Sequence, residues 1–515
     1  MIAPIAARAA SARPWWARPA WVLGALALWL LATLAVRPLL LPDEGRYAEV
    51  AREMLAGDGW VPLLNGLPFF HKPPLTYWVD MAGMSLFGVH AWSARLGPAL
   101  GAWLMGASLW LWLRRRRGPQ AAGLALVILA TCPGFFFGGQ YVNHDMLVAG
   151  TLTLAILCLA RALEDGAPQL GWLCAGWAAC GLAVLSKGLI GIVLPALVIG
   201  PWLLAQGRWR HVLALLHPLG MLAFVVVAGP WLGVMQQRYA DFFDYFIVEQ
   251  HFRRYATTGF NNQHGFWFYW LVLPFLTLPW CLLAWRWWPL ARAAIALPPA
   301  TWLGRLFEGE RRWTTLMAWW VLAIVLFFSM PASKLVGYIL PTLAPWAALL
   351  AITASTLAWR RWAALGAALC MVAVFGVAMK APNSHRDVGL ALRERVAAND
   401  LVVMVDNGFN DAAFEARLKH PPLVASRWDD PSIPHRDNWR KELADTARFA
   451  PDLAARLLYP LQDLPQLVCR GQTVWLVVGH DDAALVAEVP GASLQLKGRH
   501  AQLWRAPARP CTAAG

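Results

Sequence analysis

The feature that most constrains this chain is its repetition of apolar runs near bilayer-crossing length, which for a helix is roughly 17–25 residues. About eleven such stretches occur: Ala20–Leu41, Val89–Leu113, Gln120–Phe137, Met146–Leu163, Leu170–Leu185, Leu189–Ala205, Val212–Met235, Phe266–Trp285, Thr314–Met330, Leu335–Ala358 and Trp362–Met379. A long run can conceal a broken or paired helix, so the expected number of spans is eleven to thirteen. Composition agrees: 58% of residues are hydrophobic, only 14% are charged and 32 are Trp, which excludes a purely soluble enzyme. The first run follows a basic segment, as a signal peptide would. It is too long for a typical h-region and lacks a small-x-small site before Pro42, so a retained anchor is expected.

The net charge of +14 would suggest nucleic acid in a polar protein, but its distribution points to topology. Residues 381–515 hold 16 basic and 16 acidic side chains, leaving 28 basic and 14 acidic in residues 1–380. The positive-inside bias of short loops then sets the orientation. With Arg8, Arg13 and Arg18 cytoplasmic, alternation places Arg114–Arg117, Arg161, Arg208, Arg210, Arg286, Arg292, Arg305, Arg311, Arg312, Arg360 and Arg361 on the same side. Most acids, including Asp43, Glu44, Glu49, Glu53, Asp58, Asp80 and Asp145, fall on the opposite, outer face. An odd number of spans carries the neutral tail there too. The Arg114–Arg117 run is most simply a topology determinant. Two domains are expected: a membrane domain over 1–380, with its main site in the first outer loop (42–88), and a small soluble α/β domain over 381–515.

The tail reads as helix over Asp387–Ala398 and as strand over Leu401–Val405, Thr473–Val478 and Leu494–Leu503. It has no Gly-rich phosphate loop, zinc spacing or nucleophile elbow, which suits a lid or packing domain beside the substrate. Six of the eight Cys lie in or beside spans, where small apolar packing explains them. Cys469 and Cys511 lie in the tail, where an oxidising compartment permits a disulfide.

Charged side chains at the exit of a span are costly to hold and suggest a site. The densest group is Pro42-Asp43-Glu44-Gly45-Arg46-Tyr47, continuing through Glu49, Arg52 and Glu53. Proline followed by two acids reads as a helix start, with the acids at the positive end of the helix dipole. Ala48, Ala51, Met54 and Leu55 make an apolar stripe, so this helix should lie along the membrane with its charged face turned away. A generic interfacial helix would look the same. Further on, Asn65-Gly66 signals a turn, and His71-Lys72-Pro73-Pro74 fixes a cation on an extended backbone. Snorkelling is the ordinary role of a membrane Lys, whereas the prolines favour a defined anion site, such as one for phosphate.

In order along the chain, Pro42-Asp43-Glu44-x-Arg46-Tyr47, Asn65-Gly66, His71-Lys72-Pro73-Pro74-Leu75-x-Tyr77-Trp78, Asn143-His144-Asp145, Ser186-Lys187-Gly188, Glu249-Gln250-His251-Phe252-x-Arg254-Tyr255 and Ser333-Lys334-Leu335-x-x-Tyr338-Ile339-Leu340-Pro341 resemble the GT-C membrane glycosyltransferases. The branch is the ArnT-like one, the lipid A aminoarabinose transferases, with protein mannosyltransferases as relatives. The resemblance covers nearly all of residues 40–345. It implies a polytopic α-helical GT-C fold with amphipathic loop helices on the outer face. It also implies transfer of a sugar, such as aminoarabinose, from undecaprenyl phosphate to lipid A phosphate or a related envelope acceptor at the periplasmic face of a bacterial inner membrane. Membrane lipids are then partners and nucleic acid is not.

Under that resemblance Lys72 is the first choice for the carrier phosphate, with Arg46 and Arg254 as further cations and Tyr338 as a hydroxyl donor. Asp43 aligns or deprotonates the acceptor, and Asp145 is a second acid in the same outer cavity. Glu44 is expected to partner an Arg, and Tyr77, Lys187 and Lys334 to support the site. His71 departs from the Glu that aminoarabinose transferases commonly carry before Lys-Pro-Pro, which bears on donor or acceptor identity. His71 and His251 could share a divalent metal across two loops, with ordinary hydrogen-bonding histidines as the alternative; no other cofactor is implied. The rival within enzymes is a protein O-glycosyltransferase. A transporter or flippase is the rival of another class, and it would be expected to carry its charges near mid-span.

Overall fold

The computed structural model describes residues 18–164, 166–253, 262–287, 306–354, 358–380 and 384–509, with side chains of 251–253 and 380 excluded. The first half contains α1 (Pro19–Leu31), α2 (Asp43–Ala56), β1 (Leu63–Leu64), β2 (Leu67–Pro68), α3 (Leu75–Phe87) and α4 (Leu96–Ala130). These lead into α5 (Pro133–Gly138), α6 (Asp145–Ala162), α7 (Leu170–Lys187) and α8 (Ile190–Leu204). Then follow α9 (Pro218–Arg238), α10 (Phe268–Leu276), α11 (Arg311–Ser329), α12 (Leu343–Ala354) and α13 (Trp359–Lys380).

Among the described residues, seven helical segments are long and apolar enough to cross a membrane, and α1 and α8 are shorter apolar helices. This is a polytopic α-helical membrane protein. One of the seven, Ser93–Ala130, is 38 residues long. It is a hairpin: Gly118 takes φ +82° ahead of Pro119, and a Cβ at Gly106 would lie 3.1 Å from Leu126, which a straight helix would hold about 30 Å away. Two expected spans are therefore present inside one helical segment. The Phe266–Trp285 stretch is broken instead, with α10 and the turn Trp280–Trp287 bent by 117°. Pro274 and Pro279 remove backbone donors there. The first stretch also departs from expectation, since helix ends at Leu31 and turns occupy the residues before Pro42. Every one of the eleven apolar stretches nonetheless corresponds to a described helix or helix pair.

The tail contains α14 (Arg386–Arg395), β3 (Leu401–Val405), α15 (Asn410–Ala416), β4 (Leu423–Ser426), α16 (Trp439–Ala447), β5 (Leu458–Pro460), β6 (Val474–Gly479), β7 (Ser493–Lys497) and β8 (Ala501–Ala506). They form a six-stranded sheet ordered β5-β4-β3-β6-β8-β7. Strands β5, β4, β3 and β6 run parallel, while β8 is antiparallel to β6 and to β7. The expected strand Leu494–Leu503 is thus a hairpin, with its turn between Lys497 and Ala501. Strands β4 and β5 were not expected from the sequence; they are only 4 and 3 residues long.

The position of α2 differs most from expectation. Its stripe of Ala48, Ala51 and Met54 packs in one cluster with Val388, Phe409, Phe414 and Trp475 of the tail and with Tyr77 and Met84 of α3. The charged side is covered as well. A Cβ at Gly45 would come within 2.7 Å of the Asp411 side chain, Arg52 donates to the Leu418 carbonyl at 2.7 Å, and Arg46 pairs with Glu442 of α16. The helix is an internal layer between bundle and tail, not an interfacial helix with a free polar face.

Candidate active site

The site is built outward from Glu44, in the first turn of α2. Its carboxylate is fully buried and paired with Arg37 and with Arg95 at 3.0 Å, and it accepts from the backbone N–H of Leu40 at 2.9 Å and Val142 at 3.0 Å. Burial works to raise its pKa, but the two guanidinium charges and their hydrogen bonds outweigh that and bring it to about 2. Glu44 therefore joins four segments: the turns after α1, α2 itself, the start of α4 and the approach to α6. This places Asp43 at the rim, one third exposed (34%), where it accepts from Arg46 at 2.7 Å. Arg46 lies over the Tyr47 ring at 4.7 Å and also pairs with Glu442. The tail thus shares a cation expected to face the donor.

The loop after α2 is set by Asn65 and Gly66, with φ +51° and +75°, a two-residue turn that pairs Leu64 with Leu67. It returns the chain under α2, where Gly66 N–H donates to Glu53 at 2.8 Å. The chain then passes through Phe69, Phe70, His71 and Lys72 and enters α3 directly after Pro74. Lys72 is half-buried, and its ammonium donates to the His71 carbonyl at 3.0 Å. The His71 ring stacks on Phe69 at 4.6 Å and meets the Tyr245 edge at 5.7 Å.

Asp145 opens α6. It pairs with Lys187, the last residue of α7, and accepts from the Asn143 side-chain amide at 3.1 Å. Lys187 lies 4.5 Å from the ring centre of Tyr338, and a Cβ at neighbouring Gly337 would overlap the Asp145 carboxylate. Asp145, Lys187 and Tyr338 therefore form one unit that only glycine at 337 leaves room for.

His144 links these groups. Its ring meets Tyr47 and Tyr77 edge-on, each at 4.8 Å, and it is buried to 2%. Burial and the charges of Lys72, Lys187 and Arg46 hold its pKa well below the usual imidazole value, so it is neutral. Six of the expected residues, Arg46, Lys72, Tyr77, Asp145, Lys187 and Tyr338, lie around it directly or through one neighbour, and Asp43 is reached through Arg46. The sequence motif Asn143-His144-Asp145 drew attention to the acid alone. The signal for the histidine was its place beside that acid, which becomes informative only once Tyr47 and Tyr77 are seen to flank it.

Lys334 lies outside this cluster in its contacts. It is buried to 2%, donates to the carbonyls of His264 at 2.7 Å and Pro331, and closes the strip 262–264 against 331–334. Arg254 and the His251 side chain fall outside the described residues, so the expected third cation and metal pair are not located. Among the described residues no group of three or more His, Cys, Asp or Glu side chains could hold a metal ion. Cys469 is disulfide-bonded, and its expected partner Cys511 also falls outside the described residues.

This arrangement of spans, with a layer of loop helices clamped by an α/β tail, is the fold of the solved ArnT structures. The chain is similar to ArnT in fold and to arabinosyl transferases over part of its sequence. It superposes on ArnT from Cupriavidus metallidurans bound to undecaprenyl phosphate with a TM-score of 0.76 and 23% identity, covering 94% of this chain and 97% of that one. A more distant likeness, to the oligosaccharyltransferase AglB from Archaeoglobus fulgidus, has a TM-score of 0.51 and 14% identity over 92% and 71% of the two chains. In sequence it is 33% identical to the undecaprenyl phosphate-alpha-4-amino-4-deoxy-L-arabinose arabinosyl transferase of Edwardsiella ictaluri, over 63% of this chain and 57% of that protein. The enzyme of the same name from Erwinia tasmaniensis is 32% identical over 68% and 62%. The similarity thus spans less than two thirds of these relatives' length. Residues 71–233 match the family model described as dolichyl-phosphate-mannose-protein mannosyltransferase.

Proposed function

We propose that this protein is a glycosyltransferase that moves a sugar, such as 4-amino-4-deoxy-arabinose, from undecaprenyl phosphate to a phosphate of lipid A. The outer face is taken as the periplasmic side of a bacterial inner membrane, with residues 1–380 as membrane domain and 381–515 as the soluble one. The observation that carries the proposal is the convergence of Lys72, Lys187 and Arg46 with Asp43 and Asp145 around one buried histidine at the outer ends of the helices. The names of the arabinosyl transferase relatives supply the substrate class.

Displacing phosphate from an anomeric carbon requires that the leaving oxygen anion be stabilised and the acceptor oxygen be held on the opposite face of the sugar. Lys72 serves the leaving phosphate, with Arg46 beside it and Tyr338 as a hydroxyl donor on the other wall. Asp145 holds Lys187 in place. Asp43, at the rim, orients the acceptor and fixes Arg46. A lipid A phosphate is already ionised at neutral pH, so that acceptor needs no general base. A Ser or Thr acceptor would need one, and Asp43 is the candidate for it.

The test is mass spectrometry of lipid A from cells with and without the gene, joined to turnover of the lipid-linked sugar by purified protein. An aminoarabinose-modified lipid A that disappears with the gene, and a large loss of turnover in folded Lys72→Ala and Asp43→Ala proteins, are expected. Unchanged lipid A with gene-dependent glycopeptides would favour the protein O-glycosyltransferase reading, which the family match over 71–233 supports. Normal turnover in both variants would remove the site assignment.

A further inference from the structure

His144 and Tyr77 present three polar atoms that make no hydrogen bond among the described residues: both ring nitrogens of His144 and the Tyr77 hydroxyl. These side chains are 2% and 0% exposed and their rings are 4.8 Å apart. They come from different segments, His144 from the turn into α6 and Tyr77 from the first turns of α3. Buried polar groups are almost always paired, because each gives up its hydrogen bonds to water on folding. Three in one place, inside the ring of Arg46, Lys72 and Lys187, indicate that the partner is a ligand of the site.

The chemistry of these atoms narrows the ligand. A neutral imidazole offers one N–H donor and one acceptor nitrogen. The Tyr77 hydroxyl, whose ionisation is opposed by burial and then by Tyr47, stays a donor and acceptor as well. A phosphate can satisfy the donors but leaves the imidazole acceptor idle. A hydroxyl or amino group has both functions and satisfies both kinds of atom. Resting on the function proposed above, we infer that His144 is a substrate-binding residue that, with Tyr77, hydrogen-bonds a hydroxyl or amino group of the transferred sugar. The surrounding cations serve the phosphate, and the neutral pair selects the sugar.

The experiment uses full-length protein in detergent micelles, with undecaprenyl-phosphate-linked aminoarabinose as donor and undecaprenyl phosphate alone as the sugar-free probe. His144→Phe keeps an aromatic ring between the two tyrosines, and Tyr77→Phe removes only a hydroxyl, so the second variant carries the test if the first fails to fold. Each should lower kcat/KM for the donor by about tenfold or more, as expected for a lost buried hydrogen bond. Affinity for undecaprenyl phosphate alone should change by less than about twofold, since the phosphate keeps its cations. His144→Asn, which retains a donor and an acceptor, should recover part of the loss. Equal losses of affinity for both ligands would overturn the inference by assigning His144 to the phosphate. Unchanged kinetics in both Phe variants would overturn it by making the pair packing residues. A wild-type protein that turns over no lipid-linked sugar would instead defeat the proposed function, and this inference with it.

Discussion

Replacing Glu44 with Gln tests the arrangement at its most buried point. The substitution keeps the shape, but its one carbonyl oxygen can accept from only one of the Leu40 and Val142 N–H groups, which bond different oxygens of Glu44, and it leaves Arg37 and Arg95 without their anion. Arg95 is itself fully buried and Arg37 nearly so, at 3% exposure. Removing one partner from a buried ion pair costs about 3–5 kcal/mol, mostly from the stranded charge. The depressed pKa gives the same scale: a fall from 4.5 to about 2 corresponds to about 3 kcal/mol of stability at neutral pH. The sign follows from the depressed value. The contribution is present above pH 4.5, the unfolded value, and is lost as pH falls through the folded value near 2. Reversible unfolding of both proteins in mixed micelles should therefore show a gap of about 3 kcal/mol that is constant from pH 7 to pH 5 and narrows toward pH 2. A gap under about 1 kcal/mol at pH 7, or one that does not narrow in acid, would refute the account of Glu44 as the ionised centre of this junction.

Three further outcomes follow from the same contacts. Gly337→Ala should push the Asp145 carboxylate off Lys187, the cation that lies on the Tyr338 ring, so donor turnover should fall at least about tenfold while the unfolding midpoint moves little. Glu53 is buried beside Glu49, which raises its pKa to about 8, so it is protonated at neutral pH in the folded chain. Because the folded value lies above the unfolded one, its cost to folding grows as pH rises from 4.5 to 8. Glu53→Gln should be neutral at pH 4 and stabilising at pH 8 in the same unfolding assay. Glu442→Gln removes the tail's anion from Arg46, and hydrogen exchange should then quicken in α2 and α16 together, while exchange in the β3–β6 core of the tail stays as it was.

The bundle was legible because apolar length is a one-dimensional property. The hairpin at Gly118 and the break near Pro279 sit at the two residue types that sequence reasoning trusts for such events. The Asn65-Gly66 turn was legible for the same reason. The burial of α2 was not. Ala48, Ala51 and Met54 look alike whether they face acyl chains or Val388 and Phe414, and the charges opposite them find partners nearly 400 residues away, Arg46 with Glu442. Strand β4 escaped because a short buried parallel strand has no alternation to read, and the edge strand β5 because three residues are too few to show a period. Of the site, the charged residues announced themselves by their cost at a membrane surface. His144 did not, because a neutral histidine becomes informative only through what surrounds it.

The clamped position of α2 also has a consequence for how the molecule is made. Synthesis makes residues 43–56 long before the tail that covers one side of them, so during most of translation Arg46, Arg52 and part of the apolar stripe lack their partners Glu442, Leu418, Val388 and Phe414. The site region is a late product of assembly, completed by its most distant segment. Chains cut short before Arg386 should insert their helices yet present an α2 whose tail-facing side is uncovered, a natural target for membrane proteases. Full-length synthesis is thereby tied to survival of the product.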